Sequence, residues 1–592
     1  MAVEEGAAVA TEPSSVGAAP APVFQGSGQV PNQSTPLAGH NVYAGDLALR
    51  DALRHHLPGA DEAPRAALAA LCGEAVMQAH ARLANRHQPV LHTHDAAGRR
   101  IDQVEFHPSY HVLLGAAVGA GLHATPWALA ERAQGAHLER AAGFMMFTQL
   151  EPSVLCPVSM SYAVVPALRG NAGVFADSWR PLTSTTYDPR LVAIGAKRGA
   201  TMGMGMTEKQ GGSDVRANTT RAEYVEDSPW GRCYRITGHK WFFSAPMSDA
   251  FLVLAQAPAG LTCFFMPRVL PGGGMNGIAI QRLKDKLGNH ANASAEVEFA
   301  DTLGWLVGEE GRGIAQILEM GTLTRLDCAL GTAGLMRAAL SLALHHTAQR
   351  RAFGKPLASQ PLMRNVLADM ALESEAATAL ALRLARAVDG GSDAFEAAMR
   401  RVLTPVAKFW VCKRGALLAQ EAMECLGGNG YVEADGEGSM ARIYREMPLN
   451  SIWEGAGNIM ALDLLRALRR RDARGLRRRD ARGGSASGDP LQALAAELAT
   501  ARGTNTAFDR CADALLLRLE TDDATADEAG ARRLAQDVAL AVQASLLGRH
   551  APGFVFDAFC HSRLAAGGGA QVFGTLPAGL PQDDIIRRAM PA

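Results

Sequence analysis

No CxxC pair occurs in the 592-residue chain, and its nine cysteines are scattered from Cys72 to Cys560. That spacing excludes a zinc ribbon or a disulfide framework and points to a reducing, cytoplasmic setting. No HExxH occurs either. The pairs His92 with His94, His107 with His111 and His345 with His346 have no third ligand converging in sequence, so no metal is expected. Net charge is almost absent, at −1, so the whole chain has no bulk attraction for nucleic acid or membrane. Any such partner must be met by a local patch. No basic segment followed by an apolar core opens the chain, and the most apolar helical stretches are interrupted by His123, Asp327 and Arg337, so no membrane span is expected.

The usual phosphate cradles are missing as well. The only Gly-Lys step is Gly354-Lys355, followed by Pro356, which rules out a P-loop. In "GMGMTEKQGGSDV", 203–215, the position of the third dinucleotide-fold glycine is Glu208.

What is present reads as a multidomain globular chain, 48 % apolar and 20 % charged. Residues 1–32 are Ala, Gly, Pro, Ser and Gln with few large side chains and are expected to be a disordered tail. From 33 to 200 the pattern is helical, as in "EAPRAALAALCGEAVMQAHARL". Between 201 and 310 come short runs rich in β-branched and aromatic residues, such as "CYRITGHKWFFS" and "LTCFFMPRVL". Amphipathic helices return over 311–466. Helices, a strand block and a helical bundle make an α+β multidomain arrangement. A further helical segment, 467–592, carries "LRRRDARG" twice in tandem and the joint "GSASG"; Asp489 and Pro490 then start a new helix.

Two stretches sit together as candidate chemistry. The glycine-rich 203–215 segment permits close approach of a ligand to the backbone, and "GHKWFFSAPMSD", 238–249, sets Trp241 and Phe243 on one strand face and Phe242 and Ser244 on the other. An aromatic wall beside backbone N–H groups suits a flavin; a plain glycine-rich turn is the competing reading.

"MTEKQGGSDV", "GHKWFFS", "RAFGKPL", "ECLGGNGYVE" and "SIWEGAGNIM" together resemble the acyl-CoA dehydrogenase flavoproteins, and within them the alkylation-response (AidB) branch. The resemblance covers roughly 40–466. It implies an N-terminal helical domain, a central β-barrel domain and a C-terminal helical bundle, with FAD held between them in a homotetramer, plus an extra C-terminal helical domain. Carried over by motif, Met204, Gly205, Met206, Thr207, Gly211, Gly212 and Ser213 would meet FAD, as would Trp241, Phe242, Phe243 and Ser244. Arg350 would hold the pyrophosphate. Ile452, Trp453, Gly455, Gly457 and Asn458 would close the site, with Thr207, Ser213, Ser244 and Asn458 reaching an acyl-CoA thioester. Glu454 is the implied catalytic base, because the alternative position in the bundle holds Thr324. A desolvated glutamate there would have a raised pKa, suited to proton abstraction. An acidic residue favoured by a helix N-terminus is the bland alternative.

Between Arg466 and Arg482 nine arginines face two aspartates, a local charge of +7. Arg466, Arg469, Arg470, Arg471, Arg474, Arg477, Arg478 and Arg479 are the candidate contacts for double-stranded DNA, through phosphates rather than base edges. A solvated linker lengthened by duplication is the competing reading. The implied function is an FAD-containing protein that binds duplex DNA and limits alkylation damage, with weak acyl-CoA oxidation retained. The alternative is an ordinary acyl-CoA dehydrogenase of fatty or branched-chain acid catabolism without a DNA role.

Overall fold

The computed structural model describes residues 31–129, 135–391, 393–433, 440–469, 488–521, 526–565 and 572–592. The expected N-terminal tail lies outside the described residues up to position 30. At its edge, Asn32 Nδ2 donates to the Arg351 carbonyl at 2.9 Å. The arginine-rich segment 470–487 also lies outside them.

Apolar residues on every face make the helices Ala136–Leu150 and Leu155–Leu168 core elements rather than surface ones, and both are almost wholly buried. They pack on Gly313–Gln349, a 37-residue helix buried along most of its length. By length and composition that helix could cross a membrane, but 89 % of its apolar window is buried inside the fold. Its charges are answered there: Asp327 pairs with Arg140, and Arg337 Nε lies 3.6 Å from Asp46 Oδ2. Pro361–Asp389, Ala394–Cys425 and Gly457–Leu468 complete the bundle.

A two-stranded hairpin, β1 (Val90–His94) and β2 (Arg100–Glu105), precedes the barrel. The barrel strands are β3 (Met202–Gly205), β4 (Arg221–Ser228), β5 (Gly231–Ser244), β6 (Ala250–Ala257), β7 (Gly260–Pro267), β8 (Ile278–Leu283) and β9 (Ser294–Val307). The hydrogen-bonded path runs β3-β6-β4-β5-β9-β7, and β6 also pairs with β7, so the sheet closes on itself. Alternation along β6 and β7 is replaced by near-continuous burial, because the bundle covers the outer face. β5 slips register against β9 between Lys240 and Phe243.

The helices Pro490–Ala499, Thr506–Glu520, Ala531–His550, Gly553–Arg563 and Gln582–Ala589 lie against the bundle, as an integral part of it. Asp489 caps the first of them by accepting from Leu491 N. Buried arginines tie them down. Arg383 is bidentate to Glu497, at 3.0 Å to each oxygen, and Arg549 reaches the same carboxylate. Arg563 joins Asp369 and Glu373, and Glu373 is itself bidentate to Arg414. Arg588 reaches Asp51 and Glu375, while Arg337 donates to the Ala589 carbonyl at 2.6 Å and to the Gly45 carbonyl at 2.8 Å.

Arg140 joins the N-terminal helices to the bundle by a bidentate pair with Asp327, under the Tyr162 ring at 3.8 Å. Both groups are buried, at 3 % and 4 % exposed. Arg140→Met strands the Asp327 charge and should cost about 3–5 kcal/mol. Denaturant unfolding should show this, and the double variant with Asp327→Leu should recover much of the loss.

Candidate functional site

One large cavity, about 2380 Å³, opens where the N-terminal helices, the barrel and the bundle meet. The chain crosses its wall at Asn450–Gly455, a turn that precedes the Gly457–Leu468 helix. Lys408, 1 % exposed, donates from Nζ to the Asn450 carbonyl at 3.1 Å and the Gly455 carbonyl at 2.7 Å. Arg325 Nε donates to the Glu454 carbonyl at 2.9 Å. Under these restraints Glu454 takes φ 58°, in the left-handed region, where a side chain costs roughly 1–3 kcal/mol. Its carboxylate turns into the cavity and accepts from Thr324 Oγ1 at 2.6 Å.

Burial raises the Glu454 pKa above the ordinary glutamate value; the Thr324 hydrogen bond, Arg325 and Lys408 pull the other way. Desolvation is the larger of these opposing influences, and the carboxyl holds its proton more tightly than an exposed glutamate does. A second carboxyl, Glu446, lines the same cavity, and burial lifts its pKa to about 7. Both its oxygens are occupied by Asn289, one by the backbone N–H and one by Nδ2. Of these two buried carboxyls, Glu454 is the one with only a single hydrogen-bond donor among the described residues, Thr324.

On the barrel side, Met204, Met206, Thr207, Gly212 and Ser213 line the cavity. Trp241 N donates to the Thr207 carbonyl at 2.8 Å and pins the loop to β5. A Cβ on Gly212 would lie 2.4 Å from Thr207 Oγ1, so only glycine allows the loop to fold this closely. Glu208 is buried and turned away. Burial works against its charge, but Lys240 at 2.9 Å and the N–H groups of Thr219 and Thr220 hold its carboxyl down to about 2. This ion pair shapes the loop and does not face a ligand.

Phe242 and Ser244 face the cavity, whereas Phe243 and Trp241 do not. Phe243 is wholly buried in the barrel, its ring 4.1 Å from Phe251 and against Gly205, which is likewise inside. Trp241 lies under Lys284 Nζ at 3.5 Å, beside the β5 bulge. The aromatic wall is therefore Phe242, and the expectation for Phe243 and Trp241 is corrected by the strand's parity. Gly211, at φ 123°, serves the loop's turn rather than the cavity wall.

Ile452, Trp453 and Gly455 line the cavity, and Trp453 Nε1 donates to Asn450 Oδ1 at 3.0 Å. Gly457 is packed against Lys413 and Phe409, outside the wall. Asn458 also departs from expectation: its Oδ1 accepts from Arg532 at 3.1 Å, so it faces the C-terminal helices rather than the cavity. Arg350 caps the far end of the Gly313–Gln349 helix and donates to the Asn32 carbonyl. Twenty-six residues of helix separate it from Thr324, about 39 Å at helical rise. It does not reach the cavity of its own chain.

Arg466 stands at the cavity rim with Asp489, Gln492 and Glu520 of the C-terminal helices. Arg469 lies 3.9 Å from Glu528. Arg470, Arg471, Arg474, Arg477, Arg478 and Arg479 lie outside the described residues. Two residues that the sequence reading did not place, Lys408 and Arg325, brace the turn, and Thr324, read only as unable to serve as a base, donates to Glu454. The signal of Lys408 and Arg325 was a charge set in an otherwise apolar helix.

The AidB N-terminal domain family ("Adaptive response protein AidB N-terminal domain") matches residues 32–189, the acyl-CoA dehydrogenase middle domain 203–302, and the acyl-CoA dehydrogenase C-terminal domain 311–469. The chain is 52 % identical over 441 residues to the AidB protein of Escherichia coli (strain K12), named after the acyl-CoA dehydrogenases, covering 74 % of this chain and 80 % of that one. Acyl-CoA dehydrogenase family member 11 of Caenorhabditis elegans is 30 % identical over 452 residues, 73 % of this chain and 71 % of that one. The solved structure of C. elegans ACDH-11 in complex with C11-CoA superposes with TM-score 0.77 at 25 % identity, covering 96 % of this chain and 93 % of that one.

Thr324→Val removes the hydrogen bond that favours ionised Glu454, so the Glu454 pKa should rise further. Carboxyl-stretch difference infrared spectra across a pH titration should show the band of protonated Glu454 persisting to higher pH in the variant.

Proposed function

Because this chain belongs to the acyl-CoA dehydrogenase family, in its AidB branch, we propose that Glu454 is the base of an FAD-dependent oxidation of acyl-CoA thioesters and that the same protein holds double-stranded DNA and limits its alkylation. FAD is the family's cofactor. The residues present fit it: an aromatic side chain and a hydroxyl, Phe242 and Ser244, line the cavity together with the Thr207–Ser213 loop that is pinned to their strand, and the volume admits a dinucleotide together with a thioester. When bound, FAD supplies the hydride acceptor.

The observation that carries the oxidation is Glu454, raised in basicity and aimed into the cavity by a turn that three side chains brace. Met206, Thr207 and Ser213 would flank the flavin or the thioester carbonyl, and Ile452 and Trp453 would exclude water from the reacting carbon. Glu454 would take the proton α to the carbonyl at a carboxylate oxygen, with Thr324 keeping that carboxylate oriented. The C11-CoA bound by the C. elegans relative supports a thioester as the ligand class.

Oligomerisation follows from Arg350. Its distance from its own cavity makes it a group offered to a neighbouring copy, and the exposed Phe353 (98 %) and Leu362 (83 %) close by favour a covered surface. A homotetramer in the cytoplasm fits this reading. The DNA role rests on Arg466 at the cavity rim and the run of arginines that follows it in sequence.

Anaerobic mixing of the FAD-loaded protein with a short-chain acyl-CoA should bleach the flavin. Glu454→Gln should slow this at least 10²–10⁴-fold, the usual worth of a general base. The rate should fall with decreasing pH through the raised Glu454 pKa, because only the ionised form accepts a proton. No bleaching with any thioester would remove the oxidation.

Duplex DNA should be retarded at low salt. With about six phosphate contacts the slope of log K against log salt should be near −5. Arg466→Ala should weaken binding equally across sequences and reduce that slope by about 1. Absence of retardation would leave the ordinary dehydrogenase reading.

A further inference from the structure

Behind the Leu155–Leu168 helix lies a second cavity of about 250 Å³, separate from the first. Neighbouring residues on that helix divide the two: Cys156 lines the large cavity and Pro157 the small one. One side of the small cavity is apolar, built by Phe106, Leu114, Val118 and Pro157, with Tyr110 stacked 4.0 Å from Phe106. The other side is charged.

Its cations are not equally engaged. Lys197 pairs with Asp249 Oδ1 at 2.9 Å, and Arg190 with Asp188 Oδ2 at 2.6 Å. Arg268, 5 % exposed, has no carboxylate within ion-pair distance among the described residues; its guanidinium donates to the carbonyls of Pro246 and Asp102 and to the Met247 sulfur. The neighbouring carboxylates are committed elsewhere, Asp249 to Lys197 and Thr201 N, Asp102 to Arg100. Burial lowers its pKa to about 10, although the Asp249 and Asp102 carboxylates, beyond ion-pair distance, favour its charge. On the same wall Ser248, 3 % exposed, has a buried Oγ with no hydrogen-bond partner. A buried hydroxyl without a partner costs roughly 1–3 kcal/mol.

We propose that this cavity is a binding site for a small monocarboxylate with a compact apolar body, its carboxylate between Arg268 and Ser248 Oγ and its ring or short chain against Phe106, Leu114 and Val118. The ligand supplies what the site lacks: a carboxylate in direct contact with Arg268, whose charge Asp249 and Asp102 favour only from beyond ion-pair distance, and an acceptor for the Ser248 hydroxyl. The dimensions suit one ring, since a benzene occupies an apolar cavity of about 150 Å³. The large cavity cannot stand in for it, because the intervening helix is buried on both sides.

Benzoate is the probe, titrated by calorimetry into the full-length, FAD-loaded protein, with benzyl alcohol as the neutral analogue. Saturable benzoate binding is expected, at least tenfold tighter than benzyl alcohol. Ser248→Ala should weaken it about tenfold, the worth of one hydrogen bond to a charged group. Leu114→Phe, which fills the apolar end, should abolish it, and Glu454→Gln in the other cavity should leave it unchanged. Three results would overturn the proposal: no saturable binding at millimolar benzoate, equal affinity for benzyl alcohol, or binding that Glu454→Gln removes and Ser248→Ala does not.

Discussion

A single ammonium group, Lys408 Nζ, holds the turn on which the site is built. It is buried, and its protons go to the carbonyls of Asn450 and Gly455, on either side of Glu454. A buried charge is tolerated only where such partners replace water. The turn and the lysine thus require each other: without the carbonyls the cation is unsolvated, and without the cation two carbonyls face a low-dielectric interior. Arg325 closes the third side through the Glu454 carbonyl and, by its contact with Asp463, leads into the helix that carries Arg466. Glu454 and the first arginine of the basic run therefore stand on one continuous piece of chain.

The same logic operates at the scale of domains. The C-terminal helices are docked through buried arginine–carboxylate pairs, and Glu497 alone receives Arg383 and Arg549. Such pairs contribute little net stability against an apolar contact, yet removing one partner is costly. They fix orientation more than they add energy. The cavity rim, where Asp489, Gln492 and Glu520 meet Arg466, inherits that fixed geometry. A domain hung on a flexible joint would not preserve it.

Much of this was legible in the chain. Helices, strands and bundle follow from the change between helical and alternating apolar spacing, and the glycine-rich loop beside "GHKWFFS" marks the cavity's barrel wall. What could not be read was which face of β5 meets the cavity. Alternation already separates Phe242 and Ser244 from Trp241 and Phe243, but the choice between the two faces depends on packing against segments distant in sequence. Nor could local sequence tell that Glu208 would be neutralised by Lys240, or that Asn458 would turn to Arg532. Those contacts join distant segments, and a motif names its own residues without naming their partners. Thr324 is the instructive case: unable to act as a base, it is the hydroxyl that donates to the Glu454 carboxylate.

Glu454 occupies backbone space at φ 58° that glycine enters freely and other residues enter at a cost. Here thermodynamic comfort and the side chain pull in opposite directions. Selecting variants of this turn for heat resistance alone would reward the residue without a side chain, and each gain in melting temperature won that way would strip the carboxylate from the cavity wall. The proposed chemistry and the backbone's own preference ask for different residues at one position.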